Sequence, residues 1–62
     1  MLRTPNLPKP AEHSQWRDDV LNITFTVIGQ DRDEVLVNCK HGGRQWTDSL
    51  HASLFGTELR SL

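Results

Sequence analysis

The sequence predicts a small α+β domain: an antiparallel β-hairpin or three-stranded meander followed by a short C-terminal helix, with an extended N-terminal arm. Three observations carry this expectation. Two neighbouring runs alternate strictly between apolar and polar residues, glycine-marked reversals follow them, and an apolar pair stands at helical spacing near the C-terminus. The arm is assigned to residues 1–15 and the domain to residues 16–62.

The arm holds all three prolines, Pro5, Pro8 and Pro10. Proline removes a backbone donor and drives the residue before it toward extended conformations, so neither helix nor central strand suits this stretch. Pro5-Asn6-Leu7-Pro8 has the spacing of a polyproline docking motif, but a pattern this short recurs by chance.

In Val20-Leu21-Asn22-Ile23-Thr24-Phe25-Thr26-Val27-Ile28, period-two alternation puts Leu21, Ile23, Phe25 and Val27 on one face. Asn22, Thr24 and Thr26 fall on the other, the pattern of a half-buried strand. Gly29-Gln30-Asp31-Arg32-Asp33 reads as a turn. Glu34 to Lys40 alternates again, with Val35, Val37 and Cys39 inward, so the two runs make a hairpin. His41-Gly42-Gly43 reads as a second reversal, and Arg44-Gln45-Trp46-Thr47 as a short third strand with Trp46 toward the core. Thr47 or Asp48 is placed to cap a helix starting near Ser49. Leu50 and Leu54 would share its inner face, Phe55 would lie beside them, and Gly56 would end it.

With 62 residues the chain makes one domain at most. A single core of this size supplies no more than about 3–5 kcal/mol. One cysteine rules out an internal disulfide. An oligomer, a partner or a metal is then the expected supplement, unless a well-packed core manages alone. Seven basic against eight acidic side chains give a net charge of −1, without the basic excess typical of nucleic-acid binders. A charge so close to zero also offers little resistance to self-association. No apolar run reaches the ~20 residues of a membrane span. The start, Met1-Leu2-Arg3-Thr4-Pro5, runs into prolines rather than an apolar leader, and a lone thiol suits a reducing compartment. The expected location is the cytoplasm.

Four residues have zinc-ligand chemistry: His13, Cys39, His41 and His51. Only Cys39 and His41 are close in sequence, and no compact ligand pair of the CxxC kind occurs, so no metal and no cofactor is expected. Cys39 beside a histidine has the composition of a thiolate–imidazole pair. Without an oxyanion site and with little room for a substrate pocket, an inert strand cysteine is the expectation. Asp31-Arg32-Asp33-Glu34 lacks the spacing of a calcium loop and reads as a solvated turn. Asn22-Ile23-Thr24 is a glycosylation sequon placed mid-strand, and it is discounted.

Two segments remain as candidate binding surface. Lys40-His41-Gly42-Gly43-Arg44-Gln45-Trp46 joins basic side chains, closely approachable glycine backbone and an aromatic ring. Trp16 and Arg17 stand at the entry to the fold. The candidate partner-binding residues are therefore Trp16, Arg17, Lys40, His41, Arg44 and Trp46. No paired acid and base, activated nucleophile or phosphate loop is present, so the chain is expected not to be an enzyme. The expectation is a small regulatory or accessory protein, of the phage or mobile-element inhibitor or adaptor kind, acting through contact with another protein or a second copy of itself. The alternative is a small nucleic-acid-binding regulator using the Lys40–Trp46 segment.

Overall fold

A computed structural model describes residues 10–62, so the Pro5–Pro8 motif lies outside the described residues. Five antiparallel strands form one sheet: β1 (Gln15–Asp18), β2 (Ile23–Asp31), β3 (Glu34–His41), β4 (Arg44–His51) and β5 (Arg60–Ser61). Their order across the sheet is β4-β3-β2-β1-β5. A single 3-10 turn, Ala52–Leu54, links β4 to the C-terminal segment.

This corrects the α+β expectation: there is no C-terminal helix among the described residues, and the fold is all-β. The residues assigned to that helix belong to β4, to the 3-10 turn and to Phe55, which forms an isolated bridge with Leu59. The physical reason lies in the pairing. The two-residue Gly42-Gly43 reversal starts a ladder from His41–Arg44 that continues without a slip to Glu34–His51. Gly42 has φ +60°, as the first central position of such a reversal favours. A seven-residue helix is unstable in water by itself, whereas each residue added to β4 finds a partner on β3. Leu50, opposite Val35, then meets the core from a strand instead of a helix.

The first hairpin also differs in its ends. Leu21 lies in the β1–β2 loop and is exposed, while Ile23, Phe25 and Val27 share the core face. The Asp18 carboxylate ties that loop by accepting the Val20 and Leu21 N–H groups at 2.9 and 3.1 Å. Gly29 lies within β2. The register shifts between Val27 and Gly29, leaving Ile28 as the extra residue of a bulge. The reversal itself is Arg32-Asp33, with Arg32 at φ +59°.

The core has one side of sheet and one side of chain. Phe25, Val27, Val35, Val37 and Cys39 are buried on the sheet, and Ala52, Phe55 and Leu59 cover them. Trp16 packs edge-on against Phe55, with ring centroids 5.4 Å apart, and its indole N–H donates to Ser14 Oγ at 2.9 Å. The cover is anchored at both ends. Ala52 N–H donates to Asp33 O at 2.7 Å, and Leu62 N–H to Gln15 O at 3.0 Å. Arg60 adds a two-pronged pair with Asp19 at 2.9 and 3.1 Å, which holds the Asp19 carboxyl below its usual range. Upstream, Pro10 is buried, and His13 and Ser14 extend the β1–β2 ladder to Val27.

Two stability changes test this arrangement. Phe25→Ala removes a ring from the covered face and should cost about 3–5 kcal/mol in denaturant unfolding. Arg32→Gly relieves a side chain held at positive φ and should stabilise by about 0.5–1 kcal/mol, net of the extra freedom glycine gives the unfolded chain. Thermal melts of the two variants should therefore move in opposite directions.

Candidate functional site

Residues directly opposite each other in a ladder lie on the same sheet face, which sorts the candidate residues into two surfaces. The row Trp16–Phe25–Cys39–Trp46 runs across the core face. The row Arg17–Thr24–Lys40–Gln45 runs across the open face. Lys40 and Trp46, neighbours in the basic-aromatic segment, thus face opposite sides of the sheet.

The first surface is the outer edge of β4. A two-residue reversal makes its flanking pair, His41–Arg44, a hydrogen-bonded one. The ladder alternates from there, so Arg44, Trp46, Asp48 and Leu50 turn their backbone groups toward β3. Gln45, Thr47 and Ser49 turn theirs outward. Two contacts agree with this phase. Ala52 N–H still reaches back to Asp33 O, and Ser49 N–H donates to the Asp48 carboxylate at 2.8 Å. Among the described residues, no strand pairs with this outer edge.

The cover over the core stops short of this edge. Trp46 stands on the core face at the end of the buried row yet remains 39% exposed, while Cys39 opposite it is buried. Arg44 and Asp48 flank Trp46 on the same face, both exposed. Neither joins an ion pair among the described residues. Arg44, Gln45 and Trp46 line a shallow recess beside the edge.

The second surface is a shallow cleft of about 540 Å³ on the open face, lined by Gln15, Arg17, Asn22, Thr24, Lys40, His41 and Gly42. The Arg17 guanidinium is held by Thr24 Oγ1 and Asn22 Oδ1, each at 3.1 Å, and by Asp19 at 3.4 Å. His41 Nδ1 faces the Asn22 carbonyl oxygen at 2.9 Å, so this nitrogen carries the proton and donates. The lining offers cations, amides and a hydroxyl, it contains no carboxylate, and its one aromatic ring is the His41 imidazole.

Of the six candidate residues, the fold brings Arg17, Lys40 and His41 into the cleft and Arg44 and Trp46 onto the free edge. Trp16 is committed to Phe55 and the core. Sequence reasoning missed Thr47 and Asp48 at the edge, and Gln15, Asn22 and Thr24 in the cleft. The signal for the edge pair was the two-residue Gly42-Gly43 loop, which fixes both the register and the direction of each backbone group. The cleft residues come from three strands and a loop, and no local pattern announces them.

His13, Cys39, His41 and His51 do not converge: no group of three or more metal-ligating side chains occurs among the described residues. Cys39 is buried, and burial, with the Asp48 charge as a smaller contribution, pushes its thiol pKa up. No helix among the described residues is long and apolar enough to cross a membrane. Comparison of the chain with protein-family models, with curated proteins and with solved structures finds no match.

A buried thiol with a raised pKa is a poor nucleophile. Native protein should therefore react with a thiol reagent far more slowly than protein unfolded in denaturant. Equal rates in the two states would show Cys39 to be open to solvent.

Proposed function

We propose that this chain is a small non-enzymatic regulatory or accessory protein that acts by protein–protein contact, with the outer edge of β4 as its contact surface. The observation that carries this reading is the combination found at that edge. Eight residues of strand have no outer partner among the described residues, and a half-exposed tryptophan sits in their midst. An open strand supplies main-chain hydrogen bonds to an incoming strand, and flanking side chains supply selectivity. Tryptophan gives much contact area at low entropic cost and often dominates contact energies. A cytoplasmic setting accompanies the reading, since a lone cysteine kept reduced and buried fits it.

The second reading, a nucleic-acid-binding regulator, draws on the open-face cleft, where Arg17 and Lys40 present fixed positive charge with donors around them. Such a cleft suits phosphate. The only aromatic ring in the cleft lining, the His41 imidazole, is engaged with the Asn22 carbonyl oxygen, and both tryptophans lie on the opposite face. That favours protein contact over base recognition.

Affinity capture from a lysate, with and without nuclease, separates the two readings when run with a paired bait. Thr47→Pro removes an outward N–H and leaves the β3 ladder intact, because proline is tolerated on the open side of an edge strand. The expected result is a specific protein retained through nuclease treatment by the unaltered chain and lost with Thr47→Pro. Recovery that disappears with nuclease and ignores Thr47→Pro would instead support the cleft and nucleic acid.

A further inference from the structure

We infer that the strand docking on β4 is β4 of a second copy of this chain, in an antiparallel register centred on Trp46. The inference rests on the edge reading above and names its occupant. Backbone phase restricts the choices. Gln45, Thr47, Ser49 and His51 direct their hydrogen-bonding groups outward within the strand, so these must face one another across a two-fold axis normal to the sheet.

Three central registers satisfy that condition. One centred on Asp48 sets the two Asp48 carboxylates directly opposite each other, which like-charge repulsion disfavours. One centred on Thr47 places each Trp46 opposite an Asp48 and each Arg44 opposite a Leu50, leaving both charges without a complement. The register centred on Trp46 sets Gln45 opposite the second copy's Thr47, where the backbones exchange hydrogen bonds. It sets Arg44 opposite the second copy's Asp48 twice over. The two Trp46 rings then meet at the axis in a non-hydrogen-bonded pair, the closer of the two cross-strand spacings.

Three features that the single chain leaves unexplained are resolved together. Arg44 and Asp48, neither in an ion pair among the described residues, become complementary. Trp46, 39% exposed, becomes central. The apolar row Trp16–Phe25–Cys39–Trp46 continues into its own copy instead of ending in solvent. Asp48 also acts as a selector. An inward-facing charge on an edge strand discourages indiscriminate pairing, and only the register that answers it with Arg44 relieves the cost.

Sedimentation velocity from micromolar to millimolar protein tests the inference. The full chain is compared with Arg44→Asp, Asp48→Arg, the double exchange and Thr47→Pro, with thermal melts to confirm that each folds. The expected result is a dimer weakened roughly tenfold or more by either single reversal, regained in the double exchange, and dispersed by Thr47→Pro. A monomer at every concentration overturns self-pairing but leaves the capture experiment to decide whether the edge takes a foreign strand. A dimer indifferent to both reversals overturns this register. One that survives Thr47→Pro overturns the β4 edge as the interface.

Discussion

The two-residue reversal at Gly42-Gly43 is the constraint on which the rest of the molecule depends. It forces β4 back along β3 with no slack, so the ladder from His41–Arg44 to Glu34–His51 has one available register. A shift of one residue would turn Leu50 away from the core and bring Thr47 and Ser49 onto the apolar face. The same reversal determines where β4 runs out of partner. There the chain turns at Ala52, whose N–H is taken by Asp33, and crosses over the sheet. Cover, core and free edge all follow from a loop of two glycines.

What the cover reaches divides the sheet into regions with different chemistry. Val27, Val35 and Val37 are fully buried beneath it. The open face is left polar except around the exposed Leu36 and Ile28, and β4 is left half in the core and half out. Among the described residues the cover does not reach every strand, and at the β4 edge it leaves Trp46 exposed. That gap turns a general liability of small sheets into a defined surface bearing its own aromatic and charges.

Local alternation made much of β2 and β3 legible, because a period of two is a property of neighbouring residues. It placed Phe25, Val27, Val35, Val37 and Cys39 on one face, where they are buried. The C-terminal third was misread because its cues are also local but the deciding interaction is not. Leu50 and Leu54 stand four apart, Asp48 is a good helix cap, and Gly56 is a good terminator. Every one of those signals was outweighed by an available strand eight residues long. The same is true of the sites. Arg17, Lys40 and Trp46 could be named from residue type, but the face each occupies depends on register. Asp48 looked like a cap until the strand was seen to pass through it.

The cover over the core is held down lightly at its far end. β5 has two residues, and its pairing with β1 is reinforced by the Arg60–Asp19 contact at the surface. The long ladders of β2, β3 and β4 share no such weakness, so the exposed residues from Arg60 onward are the first to fray. Fraying stops at Leu59, because Ala52, Phe55 and Leu59 are buried and lifting them would open the core itself.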